Sequence, residues 1–239
     1  WFKALHPDDT QRLVAYWTEH LKTGQPVDVK YRIRLKDGSY RWVRARASAR
    51  RTKEGAILKW YGAVEDIDDV EQATERLRRQ AYQDEVTRLP NRRAFEERLA
   101  GRLQDNAAIN VLMLDINGFK SINERFGHEA GDAALRLFGR YLRKAMPQAD
   151  MVARIAGNAF VVLLTNYPPA ETLQRFAKKI GKTLEHQLSK SSKTRLCGVS
   201  IGCVEAQRDI GVDEVVRRAR IALSAAKKDP NSSIALFTP

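Results

Sequence analysis

The chain has 239 residues, 43% of them hydrophobic and 30% charged, which is enough for one large domain or about one and a half small ones with a buried core. This composition excludes disordered and fibrous proteins, and no apolar run approaches the roughly 20 residues that span a bilayer. The formal net charge of +13 raises the question of an anionic partner.

The first residues contain neither a starting methionine nor a signal peptide, and we interpret the chain as a piece of a longer protein. Cys197 and Cys203 lie in one predicted strand, roughly 20 Å apart at about 3.3 Å per residue, which is too far for a disulfide. We therefore expect a reduced, cytoplasmic setting, in which the parent protein can still be membrane-associated.

The N-terminal segment predicts one helix followed by an antiparallel sheet. Residues 7–22 have an apolar face behind acidic residues that can cap a helix. Three strand-like stretches follow, at 27–36, 39–51 and 56–65. Asp37-Gly38 separates the first two, and Asp-Gly between alternating strands is a strong hairpin signal. These elements make only part of a domain.

Ten Lys or Arg residues lie between Lys30 and Lys53, beside a single acid, Asp37. Nucleic acid, anionic lipid or an acidic neighbouring domain are the candidate partners of such a patch. The alternation of apolar and charged residues in VDVKYRIRL (27–35) favours a solvated sheet face instead. We therefore expect no nucleic-acid partner for this patch.

Three stretches of this segment carry a resemblance: HPDD (6–9), YRIRLKDGSYRWVRARASA (31–49) and GAVEDID (62–68). They resemble the C-terminal part of a PAS domain, and we assign residues 1–68 to it. PAS domains are sensor and dimerisation modules. Their ligand pocket also uses earlier strands and helices, so no sensed ligand is inferred here.

Residues 69–83 are assigned as a helical linker. Uncharged residues recur with 3-4-3-4 spacing from just before this linker to near its end. They are Ile67, Val70, Thr74, Leu77 and Ala81. Two heptads fit a short parallel coiled coil, so residues 67–83 are a candidate homodimer contact. A single amphipathic helix lying on its own domain is the alternative, since so short a helix is marginal alone.

Beyond residue 84, helices and strands alternate. Helices are predicted at 91–104, 119–125, 131–145, 169–188 and 212–227, and strands at 109–115, 194–206 and 233–237, with a hairpin at 151–164. Mixed alternation with an antiparallel hairpin indicates an α/β or α+β domain, with a central mixed sheet flanked by helices.

The stretch VLMLDINGFKSINERFGHEAGD (111–132) has the features of a metal-assisted nucleotide site. Asp115 ends an apolar strand, where α/β sheets often hold ligands. Phe119 and Lys120 open a helix whose amides suit phosphate. Asn123 and Asp132 together match the donors and acceptors of a base. A lone strand-end Asp is, however, more often a cap or turn residue.

The spacing resembles the GGDEF family, the diguanylate cyclases that join two GTP molecules into cyclic di-GMP. The matching residues are Asp115, Asn117, Phe119, Lys120, Asn123, Glu124, Gly127, His128, Gly131 and Asp132. DEVTRLPNRRAF (84–95) and GVSIGC (198–203) resemble the family's entry motif and a later strand. We assign residues 84–239 to this domain, with a nucleotidyl-cyclase-like fold.

The resemblance implies a ligand and the residues that hold it. GTP with Mg²⁺ is the expected ligand, and the implied nucleotide-binding residues are Asp115, Phe119, Lys120, Asn123, Asp132 and Lys227. Asp115 is also the implied metal ligand. Lys227 is a candidate phosphate contact, although a solvated role is as plausible on its charged helix end. His128 is interpreted as structural.

The signature that gives the family its name is altered. AGNAF (156–160) occupies its position, and only Gly157 and Phe160 match. Asn158 and Ala159 replace the two acids, the first of which shares the metal with the strand-end Asp in the family. We therefore expect no catalytic residues and only weak metal binding at Asp115, because Mg²⁺ prefers carboxylate and phosphate oxygens.

Two further departures agree with this interpretation. Asp150 fits the acid of the family's inhibitory product site, but Pro147 stands where that site has its arginine. Asn231 replaces a phosphate-binding arginine. We expect no inhibition by cyclic di-GMP through this site, since proline cannot read guanine edges and phosphate as an arginine fork does.

The sequence therefore predicts a non-catalytic GGDEF domain of a PAS-GGDEF signalling protein in cyclic di-GMP signalling. It is expected to bind GTP and to regulate an EAL phosphodiesterase domain, attached or on a partner chain. Two alternatives stand beside this hypothesis: a pure interaction scaffold without nucleotide binding, and a weakly active diguanylate cyclase.

Overall fold

The structure is a computed structural model that describes residues 4–105, 108–166, 170–190, 194, 197–206, 210–229 and 232–237. Asn231 lies outside the described residues. The chain divides into two compact units, Trp1–Arg78 and Arg79–Pro239. In the part of the chain described, no helix combines the length and the apolar character needed to cross a membrane.

The first unit contains one helix and a three-stranded antiparallel sheet, as predicted. The elements are α1 (Pro7–Thr23), β1 (Val27–Arg34), β2 (Tyr40–Arg51) and β3 (Ile57–Asp66), and the strands follow the order β1-β2-β3. Helix α1 starts after His6, whose ring accepts a hydrogen bond from the Asp8 amide, and ends at Gly24 in the left-handed region. Leu13 packs against the sheet residues Val27, Val29 and Tyr31.

Half of the cations in the basic segment are paired within the unit itself. Five of its ten cations form ion pairs with acids from outside the segment, namely Lys30–Glu71, Arg32–Asp9, Arg41–Asp69, Arg44–Asp28 and Arg46–Glu65. The Arg32 guanidinium lowers the pKa of the nearly buried Asp9 carboxyl. The segment is thus a sheet surface on which half of the cations have acidic partners.

Helix α2 (Asp68–Tyr82) follows β3 directly. The side chains of Val70 and Leu77 are each 66% exposed. Ile67, by contrast, precedes the helix and is buried, and its amide donates to the Trp42 carbonyl. Ile67 is therefore not available to a second chain as Val70 and Leu77 are, because it is buried within its own chain. Pairing of two chains through 67–83 stays a prediction.

The second unit is an α/β fold built on a five-stranded mixed sheet. Its helices are α3 (Arg92–Gln104), α4 (Phe119–Phe126), α5 (His128–Ala145), α6 (Ala170–Ser189) and α7 (Val212–Lys228), and its strands are β4 (Ile109–Ile116), β5 (Met151–Ala156), β6 (Ala159–Thr165), β7 (Val199–Ala206) and β8 (Ile234–Leu236). The strand order is β5-β6-β4-β7-β8. All neighbours are antiparallel except β7 and β8.

Two element boundaries differ from the sequence prediction by more than two residues. Strand β7 begins at Val199 rather than at residue 194, since Thr194 forms a turn that accepts the Cys197 amide. Helix α5 begins at His128 rather than at residue 131. Gly127, at φ +81°, ends α4 and starts α5 in one step, a backbone conformation that glycine adopts without steric cost.

Central strand β4 is buried along its whole length because helices cover both faces of the sheet. One face packs against α5 and α6, through residues such as Phe138 and Leu184. The other packs against α3 and α7, through residues such as Phe95 and Val215. Both cysteines are buried and free, in agreement with the prediction that they form no disulfide.

Candidate functional site

Asp115 lies at the end of β4, and the sheet register decides what faces it. Its neighbours across the sheet are Ala159 on β6 and Ser200 on β7. The residue is 6% exposed, so its carboxylate requires polar partners. The signature hairpin therefore meets the strand-end acid directly, as the sequence comparison with the family implies.

Asn158 contacts Asp115 from the turn between β5 and β6. Gly157, at φ +50°, supplies the left-handed conformation of this turn. The Asn158 Nδ2 donates to Asp115 Oδ1 at 2.8 Å and to the Ile116 carbonyl at 2.9 Å. Carboxylate and carbonyl oxygens only accept, which fixes the amide with its nitrogen toward Asp115. Asn158 is thus a donor where the family has an acid.

Lys227 contacts the other oxygen of the same carboxylate. Its Nζ lies 2.7 Å from Asp115 Oδ2. Helix α7 reaches this position because it packs closely on β7 at Gly202, where a Cβ would lie 2.3 Å from the Leu223 nitrogen. Lys227 lies one turn beyond Leu223 on the same helix face. Both oxygens of Asp115 are therefore engaged by nitrogen donors.

These residues do not fit a magnesium ion. Mg²⁺ requires oxygen ligands in octahedral geometry, but the polar atoms nearest to Asp115 are an amide nitrogen and an ammonium group. No group of three or more His, Cys, Asp or Glu side chains suited to a metal occurs among the residues described. The donor set thus gives no support to the predicted weak metal site at Asp115.

The base side of the site is formed by α4 and the start of α5. A Cβ on Gly131 would lie 1.9 Å from Asn123 Oδ1 and 3.2 Å from Phe119 Cζ, so the missing side chain lets these groups pack over α5. Asn123 and Asp132 are both partly exposed, and neither side chain has a hydrogen-bond partner within the described ranges. Their polar atoms remain available to a ligand.

The start of α4 is also open. Gly118 precedes the helix with no side-chain cap, so the first-turn amides of Phe119 and Lys120 have no side-chain acceptor. The Lys120 side chain is 88% exposed and lies 3.5 Å from Glu124. The structure thus places Phe119, Lys120, Asn123 and Asp132 on one pair of adjacent helices.

Arg154 and Asp84, to which the sequence analysis gave no role, hold the hairpin in place. Arg154 Nη1 lies 2.9 Å from both Asp84 oxygens, and its Nε donates to the Gly157 carbonyl at 2.8 Å. Burial opposes ionisation of Asp84, but bonds from Thr87 and Arg154 dominate and lower the pKa of its carboxyl. The available signal was the opposite charge of Asp84, which begins one family-like stretch, and Arg154, which lies two residues before AGNAF.

Asn117 and Ser200 form a second connection that the sequence did not suggest. The Asn117 amide nitrogen lies 2.9 Å from Ser200 Oγ, and its backbone amide donates to the Gly198 carbonyl. This contact joins the loop after β4 to the start of β7. It fixes the backbone on which Asp115 and the α4 start depend.

Asp150, the residue matched to the inhibitory product site, already has partners. Arg102 donates to both of its oxygens and Arg98 lies 3.1 Å away, so Arg102 lowers the pKa of the Asp150 carboxyl. Pro147 contributes no donor at the position of the family arginine. The absence of cyclic di-GMP inhibition through this site stays a prediction.

Comparison with known proteins identifies both units. The family model described as "Diguanylate cyclase, GGDEF domain" matches residues 81–233, and a PAS fold model matches residues 1–64. An uncharacterised protein, y4lL of Sinorhizobium fredii, is 24% identical over an alignment that covers 100% of this chain and 46% of that protein. Diguanylate cyclase DgcP of Pseudomonas aeruginosa is 46% identical over 101 residues, which are 41% of this chain and 14% of that protein.

A solved structure agrees with these matches. The coiled coil and GGDEF domain of DgcB from Caulobacter crescentus, in complex with c-di-GMP, aligns with a TM-score of 0.56 and 25% identity. The alignment covers 72% of this chain and 93% of that one. The chain spans less than half of the length of the two curated relatives.

Proposed function

The chain belongs to the diguanylate cyclase GGDEF family of cyclic di-GMP signalling, with a PAS fold before it, and we propose that its GGDEF domain binds GTP without converting it. In this proposal residues 84–239 form the domain, residues 69–83 the linker and residues 1–68 part of the PAS module. The domain transmits a signal instead of making the second messenger.

The observation that carries the proposal is the hydrogen bond from Asn158 Nδ2 to Asp115, at 2.8 Å. The family reaction is attack of a 3′-hydroxyl on an α-phosphate, with pyrophosphate leaving. Its rate depends on charge stabilisation and on the placement of metal ions. Asn158 presents a hydrogen-bond donor, its Nδ2, where the reaction needs an acceptor carboxylate. The side chain of Ala159 has no polar group.

The magnitude of this loss is large enough to abolish turnover. Removing one group that stabilises the transition state commonly lowers the rate by about 10² to 10³. Two acids are replaced here, at 158 and 159, and Asp115 is engaged by Lys227. These changes together support a domain with no measurable cyclase activity.

Binding of GTP is supported by the part of the site that keeps its polar groups. Asn123 and Asp132 offer donors and acceptors that match a guanine edge. The open amides at the start of α4 suit a phosphate. GTP is proposed to bind there with little help from a divalent cation, because Asp115 faces nitrogen donors.

The signalling role follows from the order of the modules. A PAS segment connected through helix α2 to a domain that binds but does not convert GTP fits a regulator. We assign it the control of an EAL-type phosphodiesterase domain, in the same chain or in a partner chain. The exposed Val70 and Leu77 of α2 are the proposed contact between two chains.

The proposal is tested by incubating the purified chain with GTP and Mg²⁺ and by following cyclic di-GMP formation chromatographically. We expect no product above a no-enzyme control, whereas equilibrium dialysis with labelled GTP retains nucleotide. Steady product formation would establish the alternative of a weakly active cyclase. Absence of both cyclic di-GMP product and retained nucleotide would establish the alternative of an interaction scaffold.

A further inference from the structure

Two neighbouring helices of the second unit carry a strong excess of positive charge. Residues 133–145 of α5 and residues 172–184 of α6 each contain four Lys or Arg and no acid. We define the basic face as the six exposed cations Arg136, Arg140, Arg143, Lys178, Lys179 and Lys182.

The helical period places these cations on the outward side of each helix. Arg136, Arg140 and Arg143 follow i, i+4, i+7 spacing, as neighbours on one helix face do. The opposite side of α5, with Phe138 and Leu142, is buried against the sheet. Helix α6 repeats the arrangement, and α5 and α6 pack against each other. The cations thus form two adjacent rows over one side of the sheet.

The helices on the other side of the sheet, by contrast, carry arginines that form ion pairs. On α3 and α7, six arginines have acidic partners: Arg92–Glu96, Arg93–Glu97, Arg98 and Arg102 with Asp150, and Arg217 and Arg218 with Glu214. Among the residues described, no member of the basic face forms an ion pair. Like charges one turn apart on a helix destabilise it, so this face gains from an external anion.

We propose that the basic face binds the surface of an anionic lipid bilayer. Two packed helices side by side present a broad charged surface rather than a groove. The described residues of α5 and α6 expose no large apolar side chain, so nothing inserts between acyl chains and contact is electrostatic. The aromatic side chains Phe138, Tyr141 and Phe176 of these helices are buried or partly buried in the core, whereas single-stranded nucleic acid stacks on open rings.

The test is co-sedimentation of the full chain with phosphatidylcholine vesicles, with and without about one third phosphatidylglycerol. We expect binding only to the anionic vesicles, and less of it as salt shortens the screening length. Each basic residue near an anionic surface contributes about a fivefold factor in affinity. Replacing Arg136, Arg140 and Arg143 by Gln should therefore weaken binding on the order of 100-fold.

A matched control separates this face from net charge. Replacing Arg92, Arg93 and Arg217 by Gln removes the same number of charges from the side where they are paired. This control should bind vesicles almost as the wild type does. If circular dichroism shows that the α5 variant is unfolded, replacing Lys178, Lys179 and Lys182 by Gln answers the same question from α6.

Four outcomes overturn the proposal. The first two are absence of binding to anionic vesicles and equal binding to neutral ones. The third is an equal loss of affinity in the control variant, which would mean that overall charge alone is responsible. The fourth is tighter binding of duplex DNA than of vesicles by the same face, which would identify a nucleic acid as the partner.

Discussion

The two ends of the candidate nucleotide site differ in whether their polar groups are already satisfied. At the metal end, both oxygens of Asp115 are engaged, by Asn158 and by Lys227. At the base end, Asn123 and Asp132 have no hydrogen-bond partner within the described residues. One end is closed by internal contacts, whereas the other remains open to a ligand.

This difference separates recognition from chemistry. Guanine recognition requires free donors and acceptors, which the base end keeps. Phosphoryl transfer requires a metal-binding pair of acids, and the metal end keeps Asp115 but has the nitrogen donor Asn158 at the second position. Under the proposed function, nucleotide binding and catalysis depend on separate residues, because the two sets lie on different elements.

The largest expected effect comes from reopening the metal end. The variant with Ala156→Gly, Asn158→Asp and Ala159→Glu restores both acids of the signature. We expect cyclic di-GMP formation to rise by about 10³ or more over the wild type, since each group is worth about 10² to 10³ in rate. Product is measured chromatographically with GTP and Mg²⁺.

The matched control for this variant is Ala156→Gly alone, which changes the turn without adding an acid and should stay inactive. A wild-type rate equal to that of the restored variant would contradict the proposed difference between the two ends. It would mean that Asn158 and Ala159 already support the reaction.

The next largest effect is expected from substituting the side chains proposed to bind the base. Asp132→Ala or Asn123→Ala should weaken GTP binding about tenfold to a hundredfold, because each deletes hydrogen bonds worth about 1–3 kcal/mol. ATP binding should change little. Calorimetric titration provides the measurement, and Arg125→Ala, an exposed change on the same helix, is the control. Equal losses for GTP and ATP would mean that these side chains do not read the base.

A smaller effect is expected from Lys227→Met. This substitution leaves the buried Asp115 carboxylate with the Asn158 amide as its remaining partner. It should lower the free energy of unfolding by about 1–2 kcal/mol, less than a fully buried pair would, since Lys227 is 42% exposed. Urea denaturation measures it. The exposed neighbour Lys228→Met is the control, and equal stability of both variants would refute the contact.

The smallest expected effect concerns the anchor of the hairpin. Asp84→Asn should destabilise the domain by about 1 kcal/mol near pH 7, by weakening the ion pair with Arg154. The pKa of Asp84 is lowered in the folded state, so its contribution to stability is complete above the unfolded pKa and is lost as the pH falls through the lowered folded pKa. The stability difference between the wild type and the variant should therefore begin to shrink below about pH 4 and vanish only when the pH is below the folded pKa.

Denaturation at several pH values checks this prediction. A stability difference that stays constant from neutral to acidic pH would show that the Asp84 charge contributes nothing. Arg154→Gln should reproduce the neutral-pH loss, since it removes the other half of the ion pair.

Much of this architecture follows from residue patterns. The apolar run before Asp115 and the glycine between two β-branched stretches predict a central strand and a hairpin. The identity of residue 158 also predicts a donor in place of an acid. These features are local in sequence, which is why they can be read without coordinates.

The contacts of Asp115 could not be predicted in the same way. Lys227 lies more than a hundred residues from Asp115, and its contact depends on the close packing of α7 on Gly202. Ile67 continues the spacing of the linker stripe, yet it is buried within its own chain. Long-range packing decides such cases, and a local period does not encode it.

The most direct test of the account is calorimetric titration of the wild-type chain with GTP and with ATP, each with and without Mg²⁺. An open base end and a closed metal end predict that GTP binds at least about tenfold more tightly than ATP, with an affinity that Mg²⁺ hardly changes. Equal weak binding of the two nucleotides, or GTP binding that requires Mg²⁺, would contradict it.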